Sequence, residues 1–245
     1  MVSITNLHKR FNKNIVLNGV DLEIKGDGIF AVLGPNGSGK TTLIKTILGM
    51  VIPNKGKITV LDKDIKHNSS YRHQTDYLPQ IANFPNNLKV NELVKMIKDL
   101  RGNTKTDVEL IKRFKLEPFL DKKLGNLSGG TKQKVNIVLT FMFDSPLIIL
   151  DEPTTGLDPI SLIHLKELIQ TEKAKGKTIL ITSHIMSFVE EVSDEIVFLL
   201  EGQVYFKGTI SELKHKTNEL DFEHAIASIL TENHAKSLDS ARPNI

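Results

Sequence analysis

The sequence has no cysteine among its 245 residues and no apolar run near the length of a membrane-spanning helix. The missing cysteines exclude disulfide bridges and cysteine-ligated zinc fingers, and they fit a reducing compartment. The longest apolar runs, such as LIIL and IVFLL, fall far short of the ~20 residues that a membrane helix needs. No signal peptide is visible, because Met1 leads straight into the strand-like VSITNL. We therefore expect a soluble protein that reaches a membrane only through a partner.

Long blocks of one charge are also lacking. The 32 Lys and Arg residues against 29 Asp and Glu give a net charge of +3, and IKRFK and LDKKL are typical of solvated helix faces. We therefore expect no nucleic-acid partner. The chain contains no internal repeat, and its 40% hydrophobic content is enough for one sizeable core with at most two subdomains.

Short apolar strands alternate with amphipathic helices along most of the chain. This order predicts an α/β fold with a largely parallel sheet and a site at the strand ends. VSITNLHKRF and GVDLEI are predicted to be N-terminal strands joined by the polar turn NKNI, and IVFLLEGQVYFKGT is predicted to be a hairpin.

Two regions are expected to be helical throughout. Between about residues 83 and 131, KVNELVKMIKDLRG and TDVELIKRFKL have helical periodicity, which predicts a helical subdomain inserted into the α/β core. The tail beyond about Ser211 is predicted to be helical and charged, with the last dozen residues frayed.

The segment GPNGSGKT, from Gly34 to Thr41, fits the phosphate-loop pattern G-x-x-x-x-G-K-[ST] at every fixed position. Its glycines let backbone N–H groups surround phosphates, while Lys40 offers a positive charge to the β- and γ-phosphates and the Thr41 hydroxyl suits Mg²⁺. The alternative is a glycine-rich turn that binds nothing. The apolar strand GIFAVL before it and the helical TTLIKTILGM after it favour the phosphate loop.

A pair of adjacent acids follows a second buried strand, in LIILDE. The strand places Asp151 at its tip, where the carboxylate can hold Mg²⁺ through the water shell of the ion, and Glu152 beside it can polarise an attacking water. Adjacent acids in a turn are common, so the pair gains its weight from the phosphate loop and from the PTTGLDP that follows.

Three further positions have both a functional and an ordinary interpretation. Gln80 ends the predicted strand TDYLPQ, where its amide could reach the metal or the water, or be an ordinary loop side chain. His184 follows the strand TILITS and could contact a γ-phosphate, although a lone histidine is more often structural. Phe11 could stack on adenine or be a core residue.

NLSGGTKQK presents a second glycine turn about 90 residues after the first, a gap too long for one motif. Ser128 and two glycines stand at the start of a predicted helix, and a helix N-terminus with bare backbone suits an anion. The sequence therefore predicts two phosphate-binding turns in one chain.

Together these motifs resemble the ATP-binding cassette (ABC) family, specifically the nucleotide-binding subunit of a transporter. The resemblance extends from about Val2 to Leu213 and rests on GPNGSGKTT, YLPQ, LSGG, LIILDEP, GLD and SH, which occur in the family order. It implies a P-loop NTPase core of ABC type with an N-terminal antiparallel β subdomain and an inserted α-helical subdomain. The implied domains are the cassette at 1–213 and a partly disordered helical tail at 214–245.

The resemblance also implies ATP and Mg²⁺ as ligands and assigns roles to residues. Catalysis is assigned to Glu152, His184 and Gln80, and the metal to Thr41, Gln80 and Asp151. Nucleotide binding is assigned to Phe11, Gly34, Pro35, Asn36, Gly37, Ser38, Gly39, Lys40, Thr41, Thr42, Ser128, Gly129, Gly130 and Asp158. Thr131 stands where the family most often has Gln. The resemblance therefore assigns no contact to the Thr131 side chain.

In this family two cassettes pair head to tail. The turn at Ser128, Gly129 and Gly130, called the signature turn below, closes over the ATP held by the other cassette. The resemblance thus implies a homodimer with two equal sites, and a separate transmembrane permease that carries the cargo. The ending ELKHKTNELDFEHAIASIL resembles exporter-type tails, and LSGGTKQKVN resembles the ATPase of copper-associated transporters that mature nitrous-oxide reductase. The expected location is the cytoplasm, peripheral on the inner face of the membrane.

Two alternatives differ in class. Chromosome-maintenance and DNA-repair cassettes separate the phosphate loop from the signature turn by long coiled coils, and sustained heptads are missing here. Translation-associated relatives usually carry two cassettes, whereas this chain has one. A regulatory nucleotide-binding module without turnover is the other alternative, and the presence of Glu152 is evidence against it.

Overall fold

The computed structural model describes residues 1–81, 83–102 and 107–240, with side chains described as far as Thr231. The strands within these ranges are β1 (Val2–Phe11), β2 (Asn14–Ile24), β3 (Gly28–Leu33), β4 (Lys55–Val60), β5 (Lys63–Asp64), β6 (Thr75–Leu78), β7 (Leu147–Asp151), β8 (Thr178–Thr182), β9 (Glu195–Leu200) and β10 (Gln203–Gly208). The α-helices are α1 (Lys40–Ile47), α2 (Val90–Arg101), α3 (Asp107–Arg113), α4 (Gly129–Phe141), α5 (Pro159–Ala174), α6 (Met186–Val192), α7 (Ile210–Thr217) and α8 (Phe222–Ser240). Short 3₁₀ helices lie at Ser70–Gln74, Glu117–Phe119 and Leu124–Asn126.

The central sheet has six strands in the order β10-β9-β3-β8-β7-β6. Five of them run parallel, and β10 closes the predicted hairpin by pairing antiparallel with β9. Because parallel strands end at one edge of a sheet, β3, β6, β7 and β8 bring their carboxyl ends together. The segments carrying the phosphate loop, Gln80, the acid pair and His184 leave the sheet at that edge.

A second sheet, in the order β2-β1-β4-β5, is antiparallel throughout, as expected for the N-terminal subdomain. The connection between β1 and β2 is shorter than the predicted turn NKNI, because β2 already begins at Asn14. Asn12 has a left-handed backbone with φ 52°, which asparagine tolerates, so two residues are enough to close the hairpin.

Both faces of the central sheet are buried. On β3, Ile29, Ala31 and Leu33 pack into the core that includes residues from most of the helices, whereas Phe30 and Val32 pack into the core shared with α1 and the antiparallel sheet. Successive side chains of a strand point to opposite faces, so a continuous apolar run serves two cores. This explains why GIFAVL is apolar without alternation.

The described residues between 83 and 131 contain α2, α3, two 3₁₀ helices and the start of α4, with one isolated bridge between Lys89 and Lys123. The first residue of the predicted helix TDVELIKRFKL, Thr106, lies outside the described residues. Helices α7 and α8 form the tail, and the last five residues of the segment predicted to be frayed, 241–245, also lie outside them. In the described part of the chain, every helix is too short or too polar to cross a bilayer.

Candidate nucleotide-binding site

The glycine loop between β3 and α1 has a backbone that only glycine allows at two positions. Gly34 has φ 146° and Gly39 has φ 104°, both in the left-handed region. A Cβ on Gly34 would lie 2.1 Å from the Leu199 carbonyl oxygen, and one on Gly39 would lie 2.8 Å from the Val16 carbonyl oxygen. The loop therefore packs closely against neighbouring backbone, which keeps it in one shape.

Lys40 is the first residue of α1, and its side chain folds back over the loop. The Nζ atom donates to the carbonyl oxygens of Gly34 at 2.6 Å and Pro35 at 3.0 Å. Burial lowers the pKa of Lys40, and the nearby carboxylates of Glu152 and Asp151 offset part of that effect. The Lys40 ammonium group thus lies between the glycine loop and the acid pair.

The acid pair points its two carboxylates to different partners. Asp151 is the last residue of β7, is 2% exposed, and accepts a hydrogen bond from the Thr182 hydroxyl at the end of β8. Glu152 has a left-handed backbone with φ 49°, and its N–H donates to the Thr182 carbonyl oxygen at 3.1 Å. This unusual backbone turns the chain sharply at the strand tip.

Glu152 and His184 form a contact that joins the tips of two neighbouring strands. The His184 Nδ1 atom lies 2.7 Å from the Glu152 Oε2 atom. The histidine side chain is 70% exposed, whereas that of Glu152 is 10% exposed. The imidazole therefore covers the carboxylate from the solvent side.

A cavity of about 300 Å³ lies at this edge of the sheet. Most of its walls are predicted site residues, and the full set is Asn14, Val16, Asn36, Gly37, Gly39, Lys40, Thr41, Thr42, Gln80, Asp151 and Glu152. Asn14 and Val16 were not predicted, because nothing in the local sequence shows that β2 reaches the phosphate loop. Thr182 was also not predicted, because nothing in the local sequence shows that the end of β8 contacts Asp151.

Gln80 reaches the cavity from a loop and not from a strand end. Strand β6 stops at Leu78, two residues earlier than the predicted end of TDYLPQ. Pro79 has no N–H to donate to the ladder, which explains the early end. The Pro79 carbonyl accepts from Asn136 Nδ2 of α4 at 3.1 Å, so the segment before Gln80 is held in place.

Several predicted residues lie outside the walls of the cavity. Phe11 ends β1 with 46% exposure, and Lys9 Nζ lies 4.6 Å from the centroid of its ring. Among the described residues, Gly34, Pro35, Ser38, His184, Asp158 and the turn Ser128–Gly130 are also not part of the lining. Asp158 is the N-cap of α5 and accepts from the Ser161 N–H at 2.9 Å. Hydrogen bonds from Lys134 and Ser161 hold the pKa of Asp158 well below its usual range.

The signature turn is anchored to the segment that follows the acid pair. Ser128 caps α4, and a Cβ on Gly130 would lie 2.5 Å from the Gly156 carbonyl oxygen. Gln133 Nε2 donates to the Pro153 carbonyl at 3.0 Å. The turn therefore has a fixed position, although it does not line the cavity in the described part of the same chain.

The residues present fit a triphosphate with a magnesium ion. Ser38 Oγ is buried in the glycine loop and has no hydrogen-bond partner within the described ranges, which leaves there an unsatisfied polar atom of the kind that a bound phosphate would pair. Thr41, Gln80 and Asp151 place a hydroxyl, an amide and a carboxylate on one cavity, which are ligand types that Mg²⁺ accepts. No cluster of three acids or histidines suited to a metal occurs in the described residues. Phosphate oxygens and water would complete the shell, as is usual for Mg²⁺.

A family model described as ABC transporter matches residues 17–155, more than half of the chain. The chain belongs to the ABC transporter family. Nod factor export ATP-binding protein I of Burkholderia orbicola (strain AU 1054) is 32% identical over 213 residues, which cover 84% of this chain and 70% of that protein. As a member of this family the chain is an ATP-binding cassette with ATPase activity.

Solved structures confirm the predicted fold class. A solved ATP-binding subunit of an ABC transporter superposes with a TM-score of 0.87 at 29% identity, over 94% of this cassette and 99% of that chain. A dimeric ATP-binding cassette in a post-hydrolysis state with ADP and Pi has a TM-score of 0.76 at 24% identity, over 85% and 98%. The latter likeness shows the fold alone.

Proposed function

We propose that this cassette is the ATP-hydrolysing subunit of an ABC exporter, that it dimerises around two ATP molecules, and that it drives a separate membrane permease. The observation that supports the dimer best is the arrangement of the two phosphate turns. One turn lines a cavity together with Gln80, Asp151 and Glu152, while the other, capped by Ser128, lies outside its walls. A second chain would bring the second turn to the first chain's nucleotide.

Nucleotide binding is assigned to the glycine loop. Backbone N–H groups from Gly34 to Thr42, apart from Pro35, which has none, would donate to phosphate oxygens, as would the unsatisfied Ser38 hydroxyl. Lys40 would exchange its two carbonyl contacts for the β- and γ-phosphates, a charged and stronger partner. Phe11 would stack on adenine, since the neighbouring β2 residues Asn14 and Val16 already line the cavity.

The metal is assigned to Thr41, Asp151 and Gln80 on the wall of the same cavity. Mg²⁺ held by these residues would supply positive charge that offsets the charge of the phosphates. Asp151 is kept in place by the Thr182 hydroxyl and by the parallel pairing of β7 with β8. Its orientation is therefore set before any ligand binds.

Hydrolysis is assigned to Glu152 with His184. The Glu152 carboxylate accepts a proton from water as the water oxygen attacks the γ-phosphorus. The bond from the γ-phosphorus to the bridging oxygen breaks, and its electron pair leaves with ADP. The 2.7 Å contact from His184 Nδ1 orients the carboxylate and shields it from bulk water.

The dimer is proposed to be a head-to-tail homodimer with two equal sites. In it, Ser128, Gly129 and Gly130 of one chain face the γ-phosphate held by the other, and Asp158 lies beside the same junction. The solved cassette of the same fold is described as dimeric, which is in keeping with a dimer, whereas the head-to-tail placement rests on the family resemblance of the motifs. Closure needs only that ATP binds the closed state better than the open one.

Transport is proposed from the relatives. The Nod factor protein is named as an export protein, which supports the exporter-like direction. The cassette would sit in the cytoplasm at the inner face of the membrane, held there by its permease, with residues 1–213 as the cassette and 214–245 as the tail. The likeness to copper-associated transporters of nitrous-oxide reductase maturation stays a prediction.

Mixing two inactive variants tests the shared site. Ser128→Arg should spare ATP binding but abolish hydrolysis, whereas Lys40→Ala should abolish hydrolysis because it weakens ATP binding. In a heterodimer of the two, one composite site carries both lesions and the other carries neither, so ATPase activity should reappear on mixing. If each chain completed its own site, every site would hold one lesion. Continued inactivity, with heterodimers shown by tagged pull-down, would then contradict the proposal.

A further inference from the structure

Thr131 gives the Ser128 hydroxyl two neighbours from a single residue. The Thr131 backbone N–H donates to Ser128 Oγ at 3.3 Å, which is the N-cap bond of α4. The Thr131 hydroxyl oxygen lies 2.9 Å from the same Ser128 Oγ. This second contact needs the threonine hydroxyl, which the Gln implied by the family resemblance does not have.

The hydrogen count of the two hydroxyls decides which way each one points. A serine hydroxyl has one proton to donate and two lone pairs that accept. If Thr131 donates both its N–H and its O–H to Ser128 Oγ, both lone pairs are occupied. The Ser128 proton is then directed away from Thr131 and towards whatever faces the turn.

An anion facing the turn selects this arrangement, because phosphate oxygens accept hydrogen bonds and repel a lone pair. The opposite arrangement, in which Ser128 donates to Thr131, would present a Ser128 lone pair to the phosphate. Two donors on one oxygen also polarise its own O–H, which strengthens the bond that it donates.

We propose that Thr131 is a positioning residue, which uses its hydroxyl to fix Ser128 as a hydrogen-bond donor towards the γ-phosphate held by the partner subunit. This inference rests on the proposed use of Ser128 in the dimer. It assigns no direct phosphate contact to Thr131. It predicts that the hydroxyl matters at this position and that the longer amide of Gln does not replace it without rearrangement.

The test compares Thr131→Val with Thr131→Ser in steady-state ATP hydrolysis. Valine keeps the shape, the backbone N–H cap and a helix propensity near that of threonine, so only the hydroxyl is lost. We expect kcat/KM to fall roughly 3- to 10-fold, the range of one neutral hydrogen bond, while ATP affinity of the isolated chain stays unchanged. Thr131→Ser keeps the hydroxyl and should retain most of the wild-type kcat/KM. Thr171→Val, which removes an exposed helical hydroxyl bonded to the Glu167 carbonyl, is the matched control and should have no effect.

A double-mutant cycle with Ser128→Ala separates positioning from general stabilisation of α4. If Thr131 acts through Ser128, Thr131→Val should cost nothing further once the Ser128 hydroxyl is gone. An equal loss in both backgrounds, or no loss in the Thr131→Val single variant when Ser128→Ala is impaired, would overturn the positioning role and leave the proposed function standing. If Ser128→Ala itself hydrolyses ATP normally, both this role and the proposed use of Ser128 are wrong.

Discussion

The guanidinium of Arg101, the last residue of α2, is ion-paired with the fully buried carboxylate of Asp76 on β6. Arg101 also donates to the Ser145 hydroxyl at 3.2 Å and lies 4.3 Å from the centroid of the Phe143 ring. One side chain thus ties the helical region to the edge strand of the central sheet, four residues before Gln80. A buried carboxylate is tolerated only with such a partner.

Removal of Arg101 should therefore destabilise the fold. We expect Arg101→Met to lower the free energy of unfolding by roughly 3 kcal/mol, at the lower end for a broken buried pair because the arginine is about a quarter exposed. Arg113→Met is the matched control, since Arg113 pairs with Glu167 at an exposed site and should cost less than about 1 kcal/mol. Urea unfolding measures both. Equal losses in the two variants would contradict a special role for the Asp76 pair.

The same pair gives a pH dependence with a defined sign. Burial raises the pKa of Asp76, and Arg101 opposes that shift. The folded state then binds the proton more tightly than the unfolded state, so this contribution to stability is present below the ordinary pKa of 3.8 and lost as pH rises through the folded pKa. Without Arg101 the loss should be steeper. Relative to the wild type, the urea midpoint of Arg101→Met should fall as pH increases from about 4, and adding Asp76→Asn should remove this difference in pH dependence.

Lys40→Ala should weaken ATP binding and abolish turnover. No other described side chain is placed over the glycine loop to neutralise the β- and γ-phosphates. Titration with a fluorescent ATP analogue measures the affinity, and Lys45→Ala, an exposed lysine in the last turn of α1, serves as the control. Equal affinities for ATP in the two variants would show that Lys40 has been given the wrong role.

Glu152→Gln should keep ATP bound but slow hydrolysis at least ~10²-fold, as expected for a lost general base. The amide retains the shape of the side chain and one oxygen that can accept from His184 Nδ1. The closed dimer should accumulate with ATP and dissociate with ADP, which size-exclusion chromatography detects. A monomer at high protein concentration with both nucleotides would contradict ATP-driven closure.

Gly130→Ala should destabilise the chain, whereas Gly129→Ala should not. A Cβ on Gly130 would lie 2.5 Å from the Gly156 carbonyl, but one on Gly129 meets no described atom within 4 Å. Overpacking of this kind costs about 1–3 kcal/mol. Thermal unfolding of the two variants without nucleotide compares them directly. Equal melting temperatures would exclude the close approach of Gly130 to Gly156.

The contiguous motifs were the predictable part of the site, because their chemistry depends on neighbours in sequence. The glycine loop, Asp151 and Glu152 lie where the strand-then-turn pattern placed them. Contacts across strands left no such signal. Thr182 reaches Asp151 only through the register of β7 with β8, and Arg101 reaches Asp76 across 25 residues of chain. Both depend on tertiary packing, which local patterns do not encode.

Helix α4 connects two places that the proposed dimer keeps in different active sites. Its N-cap is Ser128, which would face the partner's nucleotide in the proposed dimer, and its 13 residues span about 20 Å. Within that length Asn136 Nδ2 donates a hydrogen bond to the carbonyl oxygen of Pro79, the residue directly before Gln80. A displacement of the Ser128 turn that moved α4 as a unit would therefore also move the Asn136 contact with Pro79, beside the chain's own cavity. In the proposed dimer, this helix would therefore link the two ATP sites, because one end lies at the partner's nucleotide and Asn136, further along, contacts the segment that carries Gln80 of its own chain.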